Sequence, residues 1–245
     1  MSWTPLVEGI SEAVRLILSA DKTVIEITLR SLQTAGYATL MASIVGVPLS
    51  ILIATAEFPG KRSLKFLFNA MVGVPTVTLG LFLFTLFSRS GPFGSMGLLY
   101  TVQGMALGQA VLILPILVSF TVSAIESKGQ ELRDLARTLG ASEYEASLVV
   151  VREALSGVTL ALASSFNRAF AELGIATMLG ANIRGVTRVL TTAIALETAK
   201  GELGLSFALS FILLAVVLSL NLLINLFQEG RLGRQGWLRF IVGER

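Results

Sequence analysis

The chain has 245 residues, 53% of them hydrophobic and 14% charged, with a formal net charge of +3 and a mean hydropathy of +0.78. It contains no Cys and no His, which excludes disulfide frameworks, thiolate chemistry, His/Cys metal sites and His-based catalytic triads. No charged residue occurs from Ser31 to Ala56, Phe66 to Ser88, Ser90 to Ile125 or Leu203 to Gln228, and each run exceeds the roughly 20 residues that a helix needs to cross a bilayer core.

These runs do not alternate with period two, so they are helices and not strands of a transmembrane barrel. The fold class expected is an all-α, polytopic membrane protein, one transmembrane domain over residues 1–245. No short apolar region with a small-residue cleavage site stands at the start, so no removable signal peptide is expected. The segment Val7–Arg30 is too charged to span and reads as one interfacial amphipathic helix. Five spans follow, at about Ser31–Phe58, Ser63–Ser88, Leu98–Ile125, Ser156–Leu179 and Leu203–Phe227. Pro59-Gly60 and the stretch Ser88–Ser95 make short turns. The link Glu126–Leu155 is long, charged and helical in pattern. The link Gly180–Gly201 is polar and rich in Thr and Arg, and the tail Glu229–Arg245 is basic. No strong internal repeat is visible, which weakens a transporter built from inverted halves.

Lys and Arg placement sets an expected orientation. One face owns Lys61, Arg62, Lys65, Lys128, Arg133, Arg137, Arg152, Arg231, Arg234, Arg239 and Arg245. The other owns Arg15, Lys22, Arg30, Arg89, Arg184, Arg188 and Lys200. The first face is the more basic, so the central link and C-terminus are expected in the cytoplasm and the N-terminus outside.

Within the central link an amphipathic helix is expected to end near Gly140 and a second to start at Ala141-Ser142-Glu143. Glycine permits the left-handed backbone that ends a helix, and Ser142 is a candidate N-cap. Leu132, Leu135, Ala136 and Leu139 form an apolar face, while Arg133, Asp134 and Arg137 are rim charges. The segment is either a solvated loop helix or a docking helix for a partner chain.

The stretch "DLARTLGASEYEASLVVV" resembles the EAA loop of ABC-transporter permeases: E-A-A, three residues, Gly, nine residues, I-x-L-P. Asp134, Leu135 and Ala136 hold the E-A-A places, Gly140 the Gly and Val150 the Ile. Leu135 replaces the first Ala, and Arg152-Glu153 replace Leu-Pro. The resemblance implies a coupling helix that seats on an ATPase subunit, with Glu131, Leu132, Arg133, Asp134, Leu135, Ala136, Arg137, Gly140, Ala141 and Ser142 as its coupling residues. This chain carries no G-x-x-x-x-G-K-[ST], so it has no P-loop of its own. It is expected not to be an enzyme. ATP and Mg would be bound by the partner, and this chain is expected to carry no cofactor or metal.

Arg168 and Glu172 are the only charges deep in a span. They are four residues apart. Intramembrane ionisable groups are functional candidates, and the alternative is a pair that only pins helix packing. Beyond them, Asn182, Arg184, Thr187, Arg188, Thr191 and Thr192 gather at the outer end. Guanidinium forks and hydroxyls suit a tetrahedral oxyanion, and the same residues would also serve as headgroup anchors or a docking surface.

The run Asn167–Glu202, together with "VVVREA", "EFPGKR" and "FSRSGPFG", resembles the permeases of tungstate importers and more distantly those of molybdate importers, a similarity covering about Ile10 to Phe227. It implies a type I importer fold in the inner membrane. The implied assembly is a homodimer with two P-loop ATPase subunits and a periplasmic or lipid-anchored oxyanion-binding protein. Lipid is the only other partner expected, and nucleic acid is not one. The competing reading is a secondary transporter or channel for an anion using Arg168 and Glu172. A membrane enzyme is the weakest reading, given the absence of clustered carboxylates. The G-x-x-x-G spacing at Gly104–Gly108 fits a dimer contact or intrachain packing. Pro48, Pro75 and Pro115 fall inside spans, which membrane helices tolerate.

Overall fold

The computed structural model describes the backbone of residues 4–242, and side chains except those of residues 4–6, 13, 128, 130, 225 and 227–242. The side chains of Lys128, Arg231, Arg234, Arg239 and Arg245, used above for orientation, lie outside the described residues, as does most of the basic tail. Among the described residues there are helices and no strands.

The expected single N-terminal helix is two. Helix α1 (Thr4–Leu18) stops at a turn, and α2 (Lys22–Thr55) starts nine residues before the expected first span. Ala20 takes a positive φ of 48°, and Asp21 caps α2 by accepting the Val24 N–H at 3.0 Å, which satisfies a free helix-end donor. Helix α2 then runs through Pro48 without breaking.

The expected second span is also broken. Helix α3 (Lys61–Met71) and α4 (Thr76–Phe87) meet at 101°. Pro75 has no N–H to continue the ladder and pushes Val74 out of helical backbone. Helix α5 (Val102–Thr138), in contrast, outruns the expected third span by thirteen residues, passing through Pro115 and the first half of the central link as one rod. Helix α6 (Glu143–Glu153) folds back on it, and α7 (Leu155–Phe170) leaves at 54°.

The expected fourth span ends early. A break at Ala171–Leu173 separates α7 from the short α8 (Gly174–Gly180). The link expected as polar and rich in Thr and Arg contains a buried helix, α9 (Leu190–Ala199), before α10 (Leu203–Val242). Three helices, α2, α5 and α10, are long and apolar enough to cross a membrane, and five spans result if the bent pairs α3/α4 and α6/α7 each count as one.

Helices α2 and α5 form the central pairing, flanked by α7. Small residues allow close approach: Ala35, Ala38 and Ala42 of α2 are buried with Met105, Ile113 and Leu117 of α5. An added Cβ at Gly46 would lie 3.0 Å from Leu114 and Leu117. Gly108, at the end of the G-x-x-x-G stretch, faces Ile175 and Leu179 of α8, so this glycine serves intrachain packing. Helix α1 lies along α10, where a Cβ at Gly9 would meet that of Phe207 at 2.3 Å.

The α5–α7 contact is equally tight. A Cβ at Gly157 would meet that of Ala124 at 2.5 Å. Gly157→Val is expected to cost about 1–3 kcal/mol through overpacking, read as a lower melting temperature in detergent. Gly60→Ala, with nothing near its Cβ position, serves as the comparison free of packing clashes, limited to the cost of its positive φ of 88°.

Candidate functional site

Two polar regions stand at opposite ends of the helix bundle. The first is the tip where α5 turns into α6. Helix α5 ends at Thr138, and Gly140 takes φ 91°, a left-handed backbone that suits glycine. Ser142 is the N-cap of α6: its Oγ accepts the Glu145 N–H at 3.4 Å and Glu145 Oε2 accepts the Ser142 N–H at 2.8 Å. This reciprocal pair is a capping box. The Ser142 backbone N–H, then its hydroxyl, hold the Glu145 carboxyl below the usual carboxylate range.

That shift fixes a sign. A carboxyl with a depressed folded pKa stabilises the folded state above its unfolded pKa, and the contribution disappears as pH falls through the folded value. The protection factors of the amides at the start of α6, measured relative to intrinsic exchange, are therefore expected to fall on acidification through and below the ordinary carboxylate range. Ser142→Ala is expected to loosen α6 by about 1 kcal/mol, and Glu145→Gln to flatten the acid dependence.

Arg133 ties the tip to the bundle. It donates to the Thr55 carbonyl at 3.3 Å and to Ser147 Oγ at 3.4 Å, and pairs with Glu143. Arg137 approaches the same Glu143 at 3.6 Å. Arg133 thus joins the ends of α2, α5 and α6 besides carrying charge at the rim. Leu132 turns inward beside Ile125, Val150 and Ala154. Ala136 and Ala141 are half-buried, and Glu131 and Asp134 are exposed. Leu135, Leu139 and Tyr144 project, at 57%, 82% and 78% exposure. The exposed apolar side chains of the tip are therefore Leu135, Leu139 and Tyr144. Tyr144 lies just past the glycine break, so helical periodicity through α5 alone does not reveal it.

The second region lies at the far end, where α8, α9 and the start of α2 meet. Glu172 is 2% exposed, pairs with Arg168 at 2.5 Å, and its Oε1 accepts the Ile175 N–H at 3.1 Å. It stands in the turn after α7, not on a helix face shared with Arg168. Its carbonyl accepts the Thr191 hydroxyl at 2.9 Å. Thr187 donates to the Gly180 carbonyl and accepts the Ile183 N–H. Thr192 Oγ1 accepts the Val189 N–H at 3.1 Å and donates to the Val189 carbonyl. Asn182 donates to the Thr192 carbonyl at 3.2 Å and accepts from Arg188 Nε at 3.2 Å. All three threonines are buried, and their hydroxyl protons are spent on backbone carbonyls. Arg184 is exposed and Arg188 half-buried, so guanidinium groups, not hydroxyls, are what this end offers to an anion. Arg30, used above only for orientation, and Ser31, not singled out from the sequence, hold this loop from α2 through the Gly185 carbonyl and the Leu190 N–H.

Long apolar helices, two sharply bent helix pairs and a charged tip with exposed apolar side chains define a polytopic membrane protein. The chain belongs to the family of binding-protein-dependent transport system inner membrane components, whose model matches residues 46–231. It is 38% identical over 217 residues to the "Probable anion ABC transporter permease protein" of Haloferax volcanii, covering 86% of this chain and 94% of that one. It is 33% identical over 224 residues to the tungstate uptake system permease protein TupB of Peptoclostridium acidaminophilum, covering 91% and 98%. It is 29% identical over 212 residues to the sulfate transport system permease protein CysT of Escherichia coli, covering 84% and 76%. The family and the apolar helices together give a multi-pass inner-membrane location.

Proposed function

We propose that this chain is the permease subunit of an ATP-driven importer for a tetrahedral oxyanion, with tungstate the first candidate. The observation that carries the reading is likeness along almost the whole chain to a tungstate uptake permease and an anion permease. A secondary transporter using Arg168 and Glu172 has no comparable support, and such a protein would leave the exposed tip unexplained.

In this reading two copies of the chain enclose the path, and two P-loop ATPase subunits, binding ATP and Mg, seat against Leu135, Leu139 and Tyr144. The tip faces the cytoplasm with the C-terminus, and the N-terminus lies outside. A binding protein, periplasmic or lipid-anchored, delivers the anion to the opposite end. There Arg184 and Arg188 draw it in, and the Arg168–Glu172 pair lies further along the path. A few donors suffice, because a tight site would trap the ion. The test is uptake by proteoliposomes holding this chain, its ATPase and its binding protein, supplied with tungstate, molybdate or sulfate. Tungstate-dependent ATP hydrolysis and uptake are expected. Arg184→Gln is expected to slow uptake in a salt-dependent way, with binding-protein association unchanged. Weakened association would instead assign Arg184 to docking.

A further inference from the structure

A cavity of about 490 Å³ opens between α2, α3 and α5, on the tip side of the bundle and away from the arginine and threonine cluster. Its walls bring two polar stripes face to face. On α5, Ser119, Ser123 and Glu126 follow at spacings of four and three, which place them on one helix face. On α3, Lys65 and Asn69 are four apart. All five line the cavity. Lys65 Nζ reaches Glu126 at 2.5 Å, with both side chains one-third exposed. Asn69 and Ser123 make no side-chain hydrogen bond among the described residues, and Ser119 Oγ is shielded with no partner. A chain with so few charges keeps polar groups inside a membrane domain only where they meet a partner or a water-filled space.

The chemistry of this lining is that of an anion station. Ammonium, amide and two hydroxyls supply donors to several oxygens of a tetrahedral anion. The space is far larger than the roughly 10–15 Å³ that one water needs on this measure, so a partly hydrated ion fits. The one acceptor with negative charge, Glu126, already occupies the cation. An arriving dianion competes with Glu126 for Lys65, and like charges keep the two from sharing it. Glu126 also borders a second cavity of about 400 Å³, lined by Glu57, Lys61 and Arg133. There Lys61 pairs with Glu57 at 3.0 Å and holds that carboxyl below its usual range, first by hydrogen bonding and then by charge. Seven residues of unbroken α5, about 10 Å at 1.5 Å per residue, separate Glu126 from Arg133 at the tip.

We propose that the Lys65, Asn69, Ser119 and Ser123 cavity is the inner oxyanion station of the permease, its cation occupied in this structure by the Lys65–Glu126 ion pair and freed when the α5 tip moves. The proposal rests on the oxyanion-importer reading above and adds a site outside the arginine and threonine cluster. A displacement of the tip travels along one helix to Glu126, so release of Lys65 and work at the tip are mechanically joined. The second cavity offers the released ion a continuing path past Lys61 and Arg133.

The chain has no cysteine, so Ser123→Cys gives this subunit a single thiol at the cavity wall. In the assembled transporter, reaction of that thiol with an anionic sulfonatoethyl thiosulfonate is compared with a cationic trimethylammonioethyl one. The anionic reagent is expected to react faster, tungstate to protect, and Lys65→Gln to reduce the anionic preference by about tenfold, as expected for loss of a focusing charge. Lys65→Arg should retain the preference. Glu126→Gln should raise reactivity toward the anionic reagent without ATP. Ser119→Ala, which keeps every charge, should weaken protection by tungstate and guards against a Lys65 variant that fails to assemble. If labelling is charge-blind, or the preference survives Lys65→Gln, or tungstate gives no protection while the parent complex transports it, the station is wrong and the importer reading stands. If the parent complex transports none of tungstate, molybdate and sulfate, the importer reading itself falls.

Discussion

Glu172→Ala is expected to prevent stable assembly of the permease. Its carboxylate is 2% exposed and serves two donors, the Arg168 guanidinium at 2.5 Å and the Ile175 N–H at 3.1 Å. Truncation leaves both without an acceptor. Breaking a buried pair from one side costs about 3–5 kcal/mol. Arg168 is 37% exposed, so water screens the orphaned cation and the low end, about 3 kcal/mol, applies. The measurement is the yield and melting temperature of the purified chain. Arg168→Ala/Glu172→Ala should recover part of the loss, but not all, because the Ile175 N–H stays unpaired. Glu172→Gln, which keeps an acceptor, should lose less than Glu172→Ala. A Glu172→Ala protein as stable as its parent would make the pair incidental.

Gly140→Val is expected to abolish coupled ATP hydrolysis while leaving the bundle folded. No atom lies within 4 Å of its Cβ position, so the effect comes from backbone alone. At φ 91° a β-branched residue is strained by about 1–3 kcal/mol. The turn would relieve that strain by rotating α6 against α5, which moves Tyr144 relative to Leu135 and Leu139. A partner seated on all three then loses its fit. Gly140→Asn, which tolerates left-handed backbone, should retain coupling. The readouts are ATPase co-purification and oxyanion-stimulated hydrolysis. Full stimulation in Gly140→Val would show that the geometry of the tip does not matter to coupling.

What could be read directly from the residues was local. The uncharged runs identify membrane segments because excluding charge from hydrocarbon needs no knowledge of neighbours. The break at Gly140 and the cap at Ser142 are set within a few residues, by one positive φ and one capping box, and the structure has both. The resemblance to the EAA loop rests on the same stretch.

Tertiary structure decided how the runs are cut and what their polar residues touch. Pro75 could be read as a tolerated kink, as Pro48 and Pro115 are. Helix α3 is instead held across α5 by Lys65 and Glu126, and the chain turns through 101° at Pro75. The fourth span breaks at Ala171–Leu173, where the Glu172 carboxylate binds the Ile175 N–H, while Gly174 packs against Thr76, where a Cβ would sit 2.8 Å from the hydroxyl. Thr187, Thr191 and Thr192 look like free donors in the sequence. They are buried because the chain returns over α2, bringing Ser31 to the Leu190 N–H across 159 residues. Hydroxyls satisfied by backbone and hydroxyls open to an anion have the same spelling; only the packing of distant helices separates Thr191 on the Glu172 carbonyl from Ser123 on the wall of a cavity.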